Sequence, residues 1–215
     1  TYTIMKWVYY IATNKMLLDF VEEIIGKNIL LYNATFIIKE PNTKTHVSWH
    51  QDLTYWGFDN NEKQVSAWLA LSNANDQSGC MKMIPGSHKN GFFEHYSTED
   101  KNNVLSRGQT VKDIDINNAV SCPLKPGEVS FHHGLTLHAS QPNFSNDRRI
   151  GLNFQFISTD MKQLKSKNDS AICVRGEDKY KNFKIDQVAK YDFDHEAYQH
   201  LLVLNNHYNE TIRKN

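Results

Sequence analysis

The apolar side chains near the start of the chain recur three and four positions apart. This spacing runs through residues 4–25 and is typical of one side of a helix. Asn14 is suited to cap the start of a helix, and Gly26 is suited to end one. The pattern therefore predicts helices within residues 1–26, with an apolar side that packs against the rest of the protein.

After Asn28 the period of the pattern changes to two, which is typical of β-strands. The segments with this period are 29–38, 46–52, 64–71, 80–84, 128–138 and 149–157. Asn33 and Thr35 place polar groups on one side of the first strand. Two readings stay open, since that side either lines a wet cavity or faces solvent.

The order of these elements indicates the fold class. Helices come first, strands joined by hairpin-type turns follow, and a helix is predicted over 194–212. Because strands do not alternate with helices, a doubly wound parallel sheet is disfavoured. We predict a mainly β protein with flanking helices, built as an antiparallel double-sheet barrel, or jelly roll, whose open mouth can hold a metal and a small substrate.

The predicted domain organisation is a single domain over residues 1–215, with helices over 1–26. Its jelly-roll core covers about 28–160, and an irregular segment with a terminal helix covers 160–215. Residues 89–120 are polar and lack a clear period, which is typical of a lid or a binding loop. Residues 160–190 also look irregular, and the sequence assigns them no role.

Composition excludes several classes of partner. Lys and Arg number 24 and are balanced by 24 Asp and Glu, so no basic surface for nucleic acid is expected. No apolar run is long enough to cross a membrane. Three cysteines without CxxC spacing indicate reduced thiols in a cytoplasmic protein. The chain begins with Thr1, so we expect the native start to be missing; the oligomeric state is left open.

Candidate chemistry centres on His50 and Asp52. Side chains two positions apart in an extended strand point to the same side, so this imidazole and carboxylate would project together. A second imidazole would complete a set of two histidines and one carboxylate. Such a set leaves part of the coordination sphere open and suits non-haem Fe(II) and oxygen chemistry.

His138 is the predicted third ligand. It shares the polar side of segment 128–138 with His132, which we predict to be a wall of the pocket, and with Gly134. His46 lies four residues before His50 on the same strand and is a competing candidate ligand.

Arg149 supports an oxoacid cosubstrate. Strand 128–138 and strand 149–157 are joined by a short polar loop, so we expect them to pair as a hairpin that places Arg149 near His138. Alternation directs Arg149 into the polar pocket and Arg148 to the opposite side. A guanidinium can grip a carboxylate through two parallel hydrogen bonds. The alternative is an ordinary surface bridge from Arg149 to Asp147 or Glu128.

These motifs together resemble the phytanoyl-CoA dioxygenase family, which also includes ectoine hydroxylase. The resemblance covers about residues 14–160. The segments that carry it are Ser48-Trp49-His50-Gln51-Asp52-Leu53-Thr54-Tyr55-Trp56, Ala67-Trp68-Leu69-Ala70-Leu71, Gly79-Cys80-Met81, Ile84-Pro85-Gly86-Ser87-His88, Gly134-Leu135-Thr136-Leu137-His138-Ala139-Ser140 and Arg148-Arg149-Ile150-Gly151.

The resemblance implies a cupin-like double-stranded β-helix (jelly-roll) oxygenase. Such an enzyme uses Fe(II), 2-oxoglutarate and O2 to hydroxylate a C–H bond of a small metabolite, releasing succinate and CO2. By position, His50, Asp52 and His138 would be the iron ligands. The implied cosubstrate contacts are Arg149, Ser140 and Trp68, to which we add Thr35. The predicted substrate contacts are Trp56, Asn33, His132 and Tyr55.

Two alternatives use the same barrel. One is a cupin-type dioxygenase that needs no 2-oxoglutarate, which Arg149 argues against. The other is a non-catalytic sensor that binds a small molecule or a metal. The residues after Asp52 depart from the ectoine branch, since Leu53-Thr54-Tyr55 follows, so the identity of the substrate does not carry over.

Overall fold

The structure is a computed structural model that describes residues 1–105 and 108–213. Residues 106 and 107 of the predicted lid segment, and residues 214 and 215 of the predicted C-terminal segment, lie outside the described residues. The helices are α1 (Lys6–Ala12), α2 (Lys15–Ile25), α3 (Leu53–Trp56) and α4 (His195–Arg213). The strands are β1 (Ile29–Lys39), β2 (Val47–His50), β3 (Gln64–Ala70), β4 (Met81–Met83), β5 (His95–Ser97), β6 (Gln109–Val111), β7 (Val120–Cys122), β8 (Val129–His132), β9 (His138–Ser140), β10 (Arg149–Ser158), β11 (Ser170–Arg175) and β12 (Lys184–Ile185).

The predicted N-terminal helical segment is two helices separated at Thr13 and Asn14. Asn14 has an extended backbone, and its side-chain Oδ1 accepts hydrogen bonds from the N–H groups of Met16 and Leu17. This cap satisfies two donors that would otherwise lack a partner in the first turn of α2. The helix ends at Gly26, whose φ of +91° favours glycine. The predicted start and stop signals are therefore confirmed.

The strands form two larger sheets and a separate pair. One sheet has the order β12-β11-β1-β10-β3-β8, and the other has the order β2-β9-β4-β7. Strands β5 and β6 pair with each other. The predicted mainly β class is confirmed.

The expected hairpin between segments 128–138 and 149–157 is wrong. The first segment is two strands, β8 and β9, because the Thr136 N–H donates to the His133 carbonyl oxygen and closes a turn between them. Strand β9 pairs with β2 and β4, whereas β10 lies between β1 and β3. Arg149 therefore does not reach its place through pairing with the strand of His138.

The two segments predicted to be irregular contain short strands. Strands β5, β6 and the start of β7 fall within the 89–120 segment, and β11 and β12 fall within 160–190. These strands are two to six residues long, and most of their residues are half-buried or exposed. Their sequences therefore carry little apolar alternation.

The chain consists of two compact units. Unit 1 comprises residues 1–35, 55–66 and 153–215, and unit 2 comprises residues 36–54 and 67–152. Within unit 1, Arg175 of β11 pairs with the carboxylates of Asp19 and Glu22 on α2, at 2.8 and 2.9 Å. Within unit 2, an apolar cluster packs around Trp68 and Met81. Across the described residues, no helix has the length and hydrophobicity needed to span a bilayer.

We predict that Gly79→Ala destabilises the fold far more than Gly86→Ala. Both glycines have positive φ, +70° and +76°, so both variants carry the strain of a left-handed residue, about 1 kcal/mol. At Gly79 an added Cβ would also overlap the backbone oxygen of Gln141, whereas nothing lies within 4 Å at Gly86. The expected loss for Gly79→Ala is roughly 3 kcal/mol or more. Chemical denaturation measures the free energy of unfolding of both variants, and equal losses would contradict the prediction.

Candidate metal centre and anion pocket

Three side chains of unit 2 bring potential ligand atoms together. They are His50 at the end of β2, Asp52 two residues later and His138 at the start of β9, and their ligand atoms all lie within 4.8 Å of one another. Asp52 Oδ1 is 3.5 Å from His50 Nε2 and 3.7 Å from His138 Nε2. The sequence named these three residues, and the structure places them as one group.

Strand pairing sets the positions of the two imidazoles. Strands β2 and β9 are antiparallel, and His50 lies directly opposite His138 in their register. Their ring centroids are 4.1 Å apart. Asp52 does not lie in the strand, since β2 ends at His50 and the chain turns into α3. The expectation that Asp52 joins the site by strand alternation is therefore wrong, although the side chain does reach it.

Backbone carbonyls fix the orientation of both rings. His50 Nδ1 lies 2.9 Å from the Ser48 oxygen, and His138 Nδ1 lies 2.9 Å from the Thr136 oxygen. A carbonyl only accepts, so each Nδ1 carries the proton and donates it. Each Nε2 is then the nitrogen that can offer a lone pair to a metal.

The local electrostatics favour a ligand-ready state. Burial, reinforced by the neighbouring His50, lowers the pKa of His138 to about 3. Burial alone would raise the pKa of Asp52, but the imidazoles of His138, His132 and His50 outweigh it and hold that pKa well below its usual value. A neutral His138 imidazole and an ionised Asp52 carboxylate are the forms that bind a cation.

Of the two other candidate histidines, His132 lies beside the converging group and His46 lies apart from it. His132, predicted as a pocket wall, has its Nε2 3.5 Å from Asp52 Oδ2 and its ring centroid 4.8 Å from that of His138. His46, the competing ligand, has its Nε2 3.6 Å from the Asp100 carboxylate instead. His46 does not belong to the group of converging ligand atoms found among the described residues.

Gln51, between the two ligands of the His-x-Asp motif, anchors the start of the predicted lid segment. Its amide nitrogen donates to the carbonyl oxygens of Leu135 and Gly91, at 2.7 and 2.9 Å, and its oxygen accepts from the Phe93 N–H at 2.8 Å. Its backbone N–H donates to His95 Nε2 at 3.1 Å. Sequence reasoning missed this role because a buried glutamine carries no periodic signal.

A second feature of unit 2 is a buried guanidinium without a carboxylate partner. Arg149 is 1% exposed, and its Nη1 donates to the Gly79 oxygen at 3.1 Å. Its Nε and Nη2 have no hydrogen-bond partner within the described part of the chain. Burial lowers its pKa to about 10. Buried donors left unsatisfied cost free energy, so this group is prepared for an anion.

Lys39 adds a second buried cation beside Arg149. Its ammonium donates to Ser140 Oγ at 2.7 Å and to the Ser140 carbonyl at 3.0 Å. Burial, helped by the charge of Arg149, lowers the pKa of Lys39 to about 7. Sequence reasoning missed Lys39; a charged residue that closes a long apolar strand was the available signal. Ser140, which the sequence named, lies beside this ammonium.

Trp68 covers the guanidinium. The Arg149 Cζ atom lies 5.2 Å from the centre of the Trp68 ring, within the range of a cation–π contact. On β10, Gly151 leaves the space that this indole occupies, because a Cβ there would overlap the ring. The residues of β10 and β3 thus shape an apolar wall around a fixed positive charge.

The remaining predicted residues belong to unit 1. Thr35 is exposed, and the Asn33 side chain accepts from the Ala34 N–H at 2.8 Å. Tyr55 and Trp56 are buried, and Trp56 lies in an aromatic cluster with Tyr32 and Phe58. The roles proposed for these four residues stay predictions.

Comparisons with known proteins identify the family. A model of the phytanoyl-CoA dioxygenase family matches residues 7–151. The chain belongs to the phytanoyl-CoA dioxygenase family. It is 28% identical over 169 residues to the peroxisomal phytanoyl-CoA dioxygenase of Homo sapiens. This match covers 77% of this chain and 50% of that protein. It is also 28% identical over 152 residues to a probable alpha-ketoglutarate-dependent hypophosphite dioxygenase of Stutzerimonas stutzeri, covering 70% of this chain and 52% of that one.

Solved structures confirm the jelly-roll class. The non-heme monooxygenase ThoJ in its apo form has a TM-score of 0.88 at 26% identity, covering 99% of this chain and 78% of that one. CytC3 with Fe(II) and alpha-ketoglutarate has a TM-score of 0.65 at 20% identity, covering 90% and 74%, and this likeness concerns the fold alone. The chain spans about half the length of the curated relatives that it matches.

We predict that the protein binds one divalent cation and that His138→Ala weakens binding by about 100-fold or more, since loss of a ligand exceeds the loss of an outer-shell partner. Anaerobic titration calorimetry with Fe(II) measures the affinity. His46→Ala is the matched control and should bind as the wild type does, because His46 faces Asp100 rather than the centre. Weaker binding in His46→Ala than in His138→Ala would contradict this assignment.

Proposed function

We propose that this protein is an Fe(II)- and 2-oxoglutarate-dependent oxygenase that hydroxylates a C–H bond of a small molecule and releases succinate and CO2. The observation that carries the proposal is that one unit holds both a two-histidine, one-carboxylate group and a buried guanidinium with two donors that lack a partner among the described residues. The first suits a non-haem iron, and the second suits the far carboxylate of an oxoacid.

The side chains fit the metal. His50 Nε2, His138 Nε2 and an Asp52 oxygen would hold it, and both rings already present their lone pairs through bonds to backbone carbonyls. When bound, Fe(II) supplies O2 activation coupled to oxidative decarboxylation of the oxoacid and oxidation of a C–H bond. A halide-using relative would lack the carboxylate ligand, and Asp52 is present in this chain.

The cationic pocket fits 2-oxoglutarate. The unpaired Nε and Nη2 of Arg149 can donate two parallel hydrogen bonds to a carboxylate, while Lys39 and Ser140 supply a second cation and a hydroxyl. Trp68 excludes water from one side of the guanidinium. Water exclusion strengthens each of these charge interactions. The protein's share of the chemistry is thus to hold the cosubstrate in one orientation.

The two alternatives are weighed by the same observations. A cupin-type dioxygenase without an oxoacid would have no use for two buried cations, which argues against it. A non-catalytic sensor would bind the same ligands without turnover. The names of the relatives include alpha-ketoglutarate as well as phytanoyl-CoA and hypophosphite, so they support the cosubstrate and leave the substrate open.

The substrate contacts and the setting remain part of the proposal. Asn33, Tyr55 and Trp56 stay predicted substrate contacts, and Thr35 stays a predicted cosubstrate contact. The partner is a small molecule rather than nucleic acid or a membrane, and the setting is cytoplasmic, as the balanced charge and reduced cysteines indicate.

The experiment that tests the function measures succinate released from 2-oxoglutarate under air, with Fe(II) and a panel of small amino acids, phosphonates and compatible solutes. The wild type should release succinate in response to at least one compound, and His138→Ala should not. Turnover without 2-oxoglutarate would favour the cupin-type enzyme. Binding of both Fe(II) and 2-oxoglutarate without turnover across the panel would favour the sensor.

In the same assay we expect Arg149→Leu to raise the 2-oxoglutarate requirement by roughly 100-fold, because a charge-assisted pair is worth on the order of 2–3 kcal/mol. Arg148→Leu is the matched control. Arg148 pairs with Glu40 at 2.9 Å and is largely exposed, so its loss should leave the requirement unchanged. Equal effects of the two substitutions would remove Arg149 from the pocket.

We also expect 2-oxoglutarate affinity to fall as the pH rises from 7 to 9. Below a pKa of about 7, Lys39 is charged and attracts the dianion; above it, binding must take up a proton. Arg149, with a pKa of about 10, stays charged over this range. Titration calorimetry of the Mn(II)-loaded protein measures the trend. Lys39→Met should bind more weakly and with little pH dependence, and an unchanged slope in that variant would assign the titration to another group.

A further inference from the structure

We propose that His132 is a positioning residue that holds Asp52 as a one-oxygen ligand by engaging its second oxygen. The inference rests on the proposed function, since it concerns the same metal centre. It replaces the role that the sequence suggested for His132, a wall contacting substrate, with one that acts through the carboxylate.

The contacts of Asp52 are divided between its two oxygens. Oδ1 faces His50 Nε2 and His138 Nε2, at 3.5 and 3.7 Å, whereas Oδ2 faces His132 Nε2 at 3.5 Å. Oδ1 therefore points to where the two lone pairs meet, and Oδ2 points to a third imidazole. A distance of 3.5 Å is long for a hydrogen bond, and such contacts in unloaded sites commonly shorten when the site is filled.

The burial of His132 indicates that its ring needs this partner. Its side chain is 3% exposed, and neither ring nitrogen has a hydrogen bond within the part of the chain that the structure describes. An unsatisfied buried nitrogen costs on the order of 1–3 kcal/mol. A hydrogen bond from Nε2–H to Oδ2 would satisfy this nitrogen, and it would also hold the second oxygen of Asp52.

The geometry distinguishes this role from that of a fourth ligand. The converging ligand atoms found among the described residues belong to His50, Asp52 and His138, and His132 is not one of that group. An octahedral ion with three protein ligands keeps three open positions, enough for a chelating oxoacid and O2. A fourth imidazole, or an Asp52 bound through both oxygens, would take one of them. His132 on Oδ2 guards against the second of these outcomes.

The first test measures metal affinity alone, by anaerobic titration of Fe(II) without cosubstrate or substrate. We expect His132→Phe to bind roughly 10- to 100-fold more weakly, the usual effect of losing an outer-shell partner. His132→Gln keeps an N–H donor and should recover most of the affinity. His195→Phe, an exposed histidine at the start of α4, is the matched control and should bind as the wild type does.

A double variant shows whether the effect passes through the carboxylate. In an Asp52→Ala background, His132→Phe should cause little further loss, because the partner of the ring is already gone. A full additional loss in that background would overturn the proposal, as would wild-type affinity in His132→Phe.

The second test counts imidazoles on the metal without any substitution. Electron spin echo modulation of the Cu(II)-loaded wild type should show two coordinated imidazoles, and His132→Gln should leave that count unchanged. Three imidazoles would overturn the proposal and make His132 a ligand. A wild type that binds no cation would overturn the proposed function and this inference together, whereas normal turnover with unaltered affinity in His132→Phe would overturn the inference alone.

Discussion

The pairing of β2 with β9 is the constraint on which the site depends. It sets His50 opposite His138, so two residues separated by 88 positions in the sequence face each other across one strand pair. Ser48 in β2 and Thr136, two residues before the start of β9, supply the carbonyls that fix both tautomers. A register slip of one residue would turn each imidazole to the other side of the sheet and dissolve the centre. Strand register therefore determines whether the two imidazoles meet at all.

Unit 2 also contains two buried positive charges that lower the stability of the fold. Arg149 and Lys39 are both 1% exposed, and no carboxylate pairs with either among the residues that the structure describes. Buried charges without counterions are unfavourable, and their depressed pKa values are the direct expression of that penalty. Proteins tolerate such strain where a ligand relieves it, which is typical of binding and catalytic sites. The pocket is thus preorganised at the expense of the unliganded fold.

The sequence indicated the strands, the fold class and the three converging residues because each leaves a local trace: a period of two, a cap at Asn14, a His-x-Asp spacing. It failed where the outcome depends on distant contacts. The alternating pattern of segment 128–138 gives no sign that the chain leaves one sheet and enters another between His132 and His138. Alternation placed Arg149 rather than Arg148 inward, although the hairpin used to reach that result does not exist. Lys39 was missed because only a neighbouring strand reveals that its ammonium is buried.

The spacing between the two halves of the site follows from one strand. His138 and Ser140 are two positions apart in β9, and Ser140 pairs with Val47 of β2 and Met81 of β4. Two residues of extended strand advance about 7 Å and return the side chain to the same side. One end of that interval is the proposed metal ligand His138, and the other carries the hydroxyl bound to Lys39. In the proposed function, this strand would set the distance from the metal to the cation pocket, which a five-carbon diacid would bridge. Such a site would select its ligand by length without contacts to the carbon chain, because His138 and Ser140 lie on the same strand.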